Sequence, residues 1–287
     1  MKVLKFGGTS VGSPARIKHV AGLVRRSGRN IVVLSAMSGT TNTLVEIAEY
    51  LHKGNIPGAQ ETVNVLAAKY SQVVYELLSD EASRQAATAA IERSFAIVRS
   101  YFSEPFTEAG EKEILAQGEL VSTALMSAYL SEQGVRVSVL PALDYMRTLP
   151  GGEPDMPHIS ARLHRILEVE GEADVYITQG YICRNATGGI DNLRRGGSDY
   201  TASIIGAVLN AEEIQIWTDI DGMHNNDPRF VEGTSPVGTL HFEEAAELAY
   251  FGAKILHPAC VLPAKLHNIP VRLLNTLEPE APGTLIF

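Results

Sequence analysis

Val3-Leu4-Lys5-Phe6-Gly7-Gly8-Thr9-Ser10 and Ile31-Val32-Val33-Leu34-Ser35-Ala36-Met37-Ser38-Gly39-Thr40-Thr41-Asn42 decide the fold of this chain. Each is a short apolar run that opens into small polar residues, and each is followed by a helical pattern. Ile31 to Leu34 does not alternate, which is how a strand buried on both faces of a parallel sheet reads. Between the two stretches, Pro14 stands near the start of a helical pattern that lasts to about Arg26 and is ended by Gly28. Strand, loop and helix repeated in this way imply right-handed crossovers and a doubly wound α/β core.

Further along, about Gln60 to Glu132 reads as three or four helices rich in Ala, Glu, Leu and Arg. Val135 to Leu140 is the next strand, and Leu149 to His158, with three prolines and two glycines, is expected to be a loop. Val175 to Thr178 is a strand leading into the glycine-rich stretch Gly188 to Gly197. Ser198 to Leu209 and Phe242 to Phe251 are helical, and Ile214 to Trp217, Val271 to Leu274 and Thr284 to Ile286 are strands. No internal repeat and no linker divides the chain, so one large α/β unit with two lobes is expected.

Composition narrows the function. The 287 residues are 45% hydrophobic and 20% charged, an ordinary globular make-up. A formal net charge of −9 argues against general nucleic-acid affinity, because phosphate neutralisation needs a basic face. No apolar run reaches the roughly 18 residues that cross a bilayer, and the N-terminus lacks the regions of a secretory signal. Two cysteines, Cys183 and Cys260, make no disulfide framework, so a reducing cytosol with two thiols is the expected setting. Any anionic ligand must be held by a local cluster.

In an open α/β sheet such clusters form at the carboxyl ends of strands. Four segments are expected there: Lys5 to Ser10, Ser35 to Asn42, Arg194-Arg195-Gly196-Gly197-Ser198-Asp199, and Thr218-Asp219-Ile220-Asp221-Gly222. A Gly-Gly after a strand can be a tight turn or a phosphate cradle, and Gly7-Gly8 is read as the latter because Lys5 precedes it. Lys5 lies in an otherwise apolar strand, where its ammonium either snorkels from a sheet edge or meets an anion. Glu119 has Leu115, Ala116, Ser122 and Thr123 at helical spacing and no cation among them. It is either an exposed helix carboxylate or the acceptor of a zwitterion's amino group, with Arg195 holding that ligand's carboxylate. Ser198 or Asp199 could cap a helix, line a site, or both. Thr218-Asp219 and Asp227-Pro228-Arg229 could be a capped turn and a structural salt bridge, or with Lys254 could line a nucleotide pocket. There is no Gly-x-x-x-x-Gly-Lys-[Ser/Thr] loop, no His-Arg-Asp kinase loop, no Gly-x-Ser-x-Gly elbow and no His-Glu-x-x-His, and the cysteines read as buried small hydrophobes.

Lys5-Phe6-Gly7-Gly8-Thr9-Ser10-Val11-Gly12 resembles the N-terminal signature of the aspartokinases, within the amino-acid kinase superfamily. The resemblance continues in family order through Ser35 to Asn42, Gly118-Glu119-Leu120, Thr178-Gln179-Gly180-Tyr181-Ile182 and Arg195 to Ala202. It runs on through Trp217 to Gly222, Asp227-Pro228-Arg229, Phe251 to Pro258, Asn275-Thr276 and Ala281-Pro282-Gly283-Thr284, so it spans the whole chain. It implies a three-layer αβα sandwich around an open, mainly parallel sheet, with an aspartate-binding lobe over about 1–200 and a nucleotide-binding lobe over about 201–287. The implied reaction is ATP-dependent phosphorylation of the side-chain carboxylate of L-aspartate, the first step towards lysine, threonine and methionine. Lys5, Asp199 and Lys254 would be catalytic. Ser35, Thr41, Glu119, Tyr181, Arg195 and Ser198 would hold aspartate. Lys5, Gly7, Gly8, Thr218, Asp219, His224, Arg229, Lys254 and Ile255 would meet the nucleotide. ATP would arrive with Mg²⁺ held mostly by its phosphates, and no protein ligand for the ion is expected.

Three departures accompany the resemblance. Asp191-Asn192-Leu193-Arg194 stands where the family commonly has Thr-Thr-Leu-Gly, and His224 stands where a tyrosine is common. The chain ends at Phe287, so the pair of regulatory ACT domains usual in the family is expected to be missing, and with it inhibition by lysine or threonine. The expected partners are small molecules, with no nucleic acid and no membrane, and the oligomeric state is left open. Two other functions compete: a kinase for acetylglutamate, glutamate or a nucleoside monophosphate, and a non-catalytic sensor on the same fold. Glu119 with Arg195 favours an unacylated amino acid, and Lys5, Asp199 and Lys254 favour catalysis over sensing.

Overall fold

A computed structural model describes residues 1–193, 196–226, 230–251 and 256–287. Among these the chain runs β1 (Lys2–Phe6), α1 (Pro14–Arg26), β2 (Asn30–Leu34), α2 (Thr40–His52), α3 (Ile56–Leu77), α4 (Glu81–Ser100), α5 (Glu108–Glu132), β3 (Val137–Leu140), α6 (Ala142–Tyr145), α7 (Met156–Glu170) and β4 (Val175–Gln179). It continues with β5 (Ile182–Arg184), β6 (Ile190–Asn192), α8 (Gly197–Leu209), β7 (Ile214–Thr218), β8 (Thr239–Leu240), α9 (Phe242–Phe251), a 3₁₀ turn over Pro258–Val261, α10 (Leu262–Leu266), β9 (Val271–Asn275) and β10 (Thr284–Ile286).

The main sheet has the order β3-β4-β2-β1-β7-β9-β10-β8, and β5 pairs with β6 in a separate hairpin. Every pairing in the main sheet is parallel except β9 with β10. Helices cover both faces, so the expected sandwich with a mainly parallel sheet is what forms. One core layer joins Leu4, Phe6, Val32, Leu34 and Ile177 to the helices from α1 to α5. The other joins Val3, Ile31, Val33 and Tyr176 to α7, α8 and α10. β2 and β4 are buried along their whole length, as unalternated strands covered on both faces must be.

Several elements differ from their sequence reading. The loop expected to reach His158 ends at Asp155, because that carboxylate accepts from the His158 amide (3.2 Å) and Pro157 fits the first helical turn of α7. Within Gly188 to Gly197 lies strand β6, paired antiparallel with β5, which the glycines concealed. The stretch read as three or four helices over about 60–132 forms three, α3, α4 and α5, and a 3₁₀ turn over Pro258–Val261 with α10 after it was not anticipated.

Candidate active site

β1 lies between β2 and β7, with Lys5 opposite Val33 on one side and Ile216 on the other. Lys5 is therefore in the centre of the sheet, and the reading of an edge-strand lysine does not apply. Its side chain shares the face of Val3 and meets the first turn of α8, where Nζ lies 2.7 Å from Asp199 Oδ1. The two side chains are only 12% and 15% exposed, so the pair is poorly screened and the ammonium is held in place at the carboxyl end of β1.

Gly7 and Gly8 differ in their surroundings. A Cβ on Gly8 would sit 2.7 Å from the Ala36 carbonyl oxygen, so its smallness is needed to pack two loops together. At Gly7 the nearest atom to a Cβ would be Lys5 Nζ, at 3.6 Å. That is ordinary contact, so Gly7 lies beside the ammonium without being required to be glycine, while Gly8 lines the cleft described below.

α8 does not begin as its sequence suggested. Its cap is Gly196, in the left-handed region at φ +70°, and Ser198 and Asp199 lie inside the first turn, so neither caps the helix. A Cβ on Gly196 would collide with Cys260 Sγ at 2.5 Å, which requires glycine there on two counts. α2 also begins at a left-handed glycine, Gly39. Neither helix has a side-chain cap, whereas α1, α3, α4, α5 and α7 are capped by Ser13, Asn55, Asp80, Thr107 and Asp155. The first-turn amides of α2 and α8, with the positive ends of their dipoles, face one cleft. That arrangement suits anions.

The cleft has a volume of about 760 Å³ and gathers Lys5, Gly8, Ser35, Thr41, Glu119, Tyr181, Ser198 and Asp199, with Ser38 and Asn42 on its wall. Ser35 Oγ donates to Ser198 Oγ (2.9 Å), which ties the end of β2 to α8. Of the segment expected at a main-sheet strand end, the described part, Gly196 to Asp199, does not follow a main-sheet strand. It follows the β5–β6 hairpin, and α8 carries it back over the ends of β1 and β2.

Glu119 is not an exposed helix carboxylate. It is 4% exposed, since Gly118 lets α5 approach the loop after β2 until a Cβ there would stand 2.9 Å from Ala36 Cβ. The Ala36 amide donates to Glu119 Oε1 (3.1 Å), while Oε2 is buried and has no hydrogen-bond partner among the described residues. Burial pushes the carboxyl up to about 8, against the lowering by the Ala36 amide. An orphaned carboxylate oxygen at a cleft wall is what a ligand's ammonium would satisfy. Beside it, Tyr181 holds a left-handed backbone at φ +67°, costly for an aromatic residue, and its amide donates to Thr201 Oγ1 (3.1 Å). Burial and the nearby Glu119 push the Tyr181 hydroxyl up to about 12.

On the other side of β1, Thr218 and Asp219 close β7. The Thr218 hydroxyl donates to Asp219 Oδ1 (3.2 Å) and accepts from the Ile220 amide (3.2 Å). His224 is buried with both ring nitrogens engaged, by Asp221 Oδ1 (2.6 Å) and Thr234 Oγ1 (2.9 Å), so any contact with a base would use the ring face. Arg195, Arg229, Lys254 and Ile255 lie outside the described residues. Asp191 pairs with Lys112 of α5 (3.5 Å) on the hairpin. Cys183 and Cys260 are buried, and burial pushes both thiols up to about 12, as suits inert packing. No group of three or more His, Cys, Asp or Glu that could hold a metal occurs among the described residues. Sequence reading named Ser10, Thr201 and Thr276 in motif segments without a role and missed the Thr40–Tyr70 hydroxyl pair (2.7 Å), because a hydroxyl carries no pattern until its partner is brought to it.

The sequence profile of the Amino acid kinase family matches residues 1–275. The chain belongs to that family. Among its relatives, aspartokinase 1 of Arabidopsis thaliana is 34% identical over 99% of this chain and 51% of its own length. The lysine-sensitive aspartokinase 3 of Escherichia coli is 34% identical over 99% of the chain and 63% of its own length. The crystal structure of E. coli aspartokinase III in complex with aspartate and ADP (R-state) superposes with a TM-score of 0.87, covering 100% of this chain and 64% of that one. Uridylate kinase of Archaeoglobus fulgidus, at 15% identity and a TM-score of 0.51, shares the fold. This family member thus spans about half to two thirds of the length of these aspartokinases.

Proposed function

We propose that the chain transfers the γ-phosphoryl group of ATP to the side-chain carboxylate of L-aspartate, giving 4-phospho-L-aspartate and ADP. The observation that carries this reading is the buried, unpartnered Glu119 Oε2 on the wall of a cleft that also holds the Lys5–Asp199 pair. Such a cleft accepts a small zwitterion with one end at a carboxylate and the other at an ammonium. The aspartokinase III structure with bound aspartate and ADP, and the 34% identity to it, support the same substrate pair.

In this reading the aspartate ammonium sits on Glu119, whose ionisation it favours, and Tyr181, Ser35, Ser198, Thr41 and Arg195 hold the rest of the substrate. The side-chain carboxylate is already ionised at neutral pH, so its oxygen attacks phosphorus without a general base. The new O–P bond forms as the bond from phosphorus to the ADP oxygen breaks, and charge accumulates on the transferring oxygens. Lys5, held by Asp199, stabilises that charge with Lys254, and positioning with electrostatics accounts for most of the catalysis. Residues 1 to about 200 would serve aspartate, and residues from about 201 would serve the nucleotide through Thr218, Asp219, His224, Arg229, Lys254 and Ile255. Mg²⁺ would come with the ATP phosphates and offset their charge. The product feeds synthesis of lysine, threonine and methionine, and the cytosol is the setting proposed. A coupled ADP-release assay with aspartate, acetylglutamate, glutamate and uridine monophosphate tests the reading. Turnover with aspartate alone is expected, and preference for any other acceptor would overturn it.

A further inference from the structure

The stretch Asn275-Thr276 has no part in the site as described, yet Thr276 touches two elements that do, and α1 besides. Its hydroxyl lies 2.6 Å from Ser10 Oγ, in the loop that follows Gly7-Gly8. Its amide donates to the Thr218 carbonyl (2.8 Å) at the end of β7, and its carbonyl lies 2.7 Å from His19 Nε2 on α1. Ser10 and Thr276 are 3% and 2% exposed, so water does not compete for the hydroxyl pair, and the other contact of Ser10 Oγ, to the Trp217 carbonyl, is long at 3.5 Å.

The glycine loop is fastened on its two sides by different means. Towards the aspartate cleft the Ser38 amide donates to the Gly8 carbonyl (3.1 Å). Towards β7 the fastening is the Gly7 amide on the Trp217 carbonyl (3.3 Å) and the Ser10–Thr276 pair. The loop beside Lys5 and the Thr218-Asp219 turn belong to different strands, and a shift between them of a few tenths of an ångström would move the phosphates relative to Lys5. In-line transfer is sensitive to such displacement.

We propose that Thr276 is a positioning residue whose hydroxyl, through Ser10, sets the glycine loop against the end of β7 and so aligns the phosphates with the acceptor. The inference rests on the phosphoryl-transfer reading. It commits to one bond, and Thr276→Val keeps the shape and both backbone contacts of the residue while deleting that bond.

Wild type, Thr276→Val, Thr276→Ser, Ser10→Ala and the Ser10→Ala/Thr276→Val pair are compared by ADP release with each substrate titrated separately, by calorimetric titration with Mg·ADP, and by Tm. Thr276→Val is expected to lower kcat/KM for ATP by about tenfold and to weaken Mg·ADP severalfold, the loss of one buried hydrogen bond. The KM for aspartate should stay within about twofold, Thr276→Ser should restore the ATP values, and the double variant should be no worse than Thr276→Val, because both remove the same bond. Folded Thr276→Val with wild-type ATP kinetics and Mg·ADP affinity overturns the proposal. So does a loss shared equally by both substrates, or one that serine does not restore. Should Thr276→Val fail to fold, Ser10→Ala reads the same bond from its other end. If the wild type releases no ADP with aspartate, the aspartate reading fails alone, and the Mg·ADP titration still decides whether Thr276 sets the loop.

Discussion

The two sides of β1 are built on different terms. On the side proposed for aspartate, the cleft is walled by main-sheet strand ends and by helices packed into the core, which carry Glu119 on α5, Ser198 and Asp199 on α8, and Thr40 of α2 tied to Tyr70 of α3. On the side proposed for the nucleotide, the described residues between β7 and β8 are held by a few backbone and side-chain bonds: the Asn225 amide donates to the Ser235 carbonyl (3.0 Å) and the Val237 amide to the Met223 carbonyl (2.7 Å). His224 is held by Asp221 and Thr234, and Met223 by Thr284, while Phe230 stands exposed. A wall made of core elements can keep an unsatisfied carboxylate oxygen buried, because collapse around it would cost packing over the whole layer. A connection held by a few such bonds has less packing behind it, so the ligand contacts proposed there would depend on each bond individually.

The contrast can be broken most sharply at Lys5, which in the proposed reaction would face the transferring group from the middle of the sheet. Lys5→Ala is expected to lower kcat by roughly 10²-fold or more with the fold retained, and Lys5→Arg to recover little, since a planar fork does not replace a point charge. Near-wild-type kcat in an ADP-release assay would remove Lys5 from the mechanism. Next in size is Glu119→Gln, which should raise the KM for aspartate by about 10- to 100-fold, a charge-assisted contact of roughly 1.5–3 kcal/mol, and leave that for ATP nearly unchanged. Equal effects on both substrates would mean the two sides are not separate.

On the nucleotide side, Thr284→Val removes the acceptor of the buried Met223 amide (2.8 Å) and the hydroxyl that donates to the Val237 carbonyl (2.6 Å). It should cost about 1–3 kcal/mol in denaturant unfolding and raise the KM for ATP more than that for aspartate. The reverse order of KM effects would show that this strand end supports the aspartate cleft instead.

The pH response sharpens the comparison further. Glu119 is raised to about 8 in the folded protein against an ordinary value of 4.5. The folded state therefore holds a proton that the unfolded chain releases, and this contribution is complete below about 4.5 and lost as pH rises to about 8. The Tm of the unliganded protein should fall across that window, and Glu119→Gln should flatten the fall by about 3 °C or more. An identical slope in the variant would place the titration elsewhere. Smallest is Tyr70→Phe, which deletes the hydroxyl pair with Thr40 at about 1 kcal/mol of stability and should move the aspartate KM only slightly.

Most of the sheet was legible from short apolar runs: β2 and β4, covered on both faces, left unalternated ones, and β1, β7 and β9 left runs interrupted by a single Lys5, Gln215 or Arg272. β5, β6 and β8 were not legible. They are two or three residues long, and pairing, not composition, makes them strands. Among the site residues, Lys5, Ser35, Thr41, Glu119, Tyr181, Ser198 and Asp199 do come together around one cleft. His224 is where the sequence placed it, after β7, but as a buried ring bonded at both nitrogens.

What the sequence determined by itself is the order of strand, loop and helix, the positions of the small polar turns, and the residues available for chemistry. Those follow from local physics: periodicity, cap and breaker residues, and the cost of a charge in an apolar strand. Only the tertiary structure decided that Gly8 is glycine for a neighbouring carbonyl, that Gly196 and not Ser198 begins α8, and that Glu119 is buried with one oxygen unsatisfied. Each of these depends on an atom far away in the chain, and distance in sequence hides what contact in space imposes. The same reason left Thr276, part of a matching segment, without a role in the sequence: its partner hydroxyl on Ser10 is 266 residues away along the chain and 2.6 Å away in the fold.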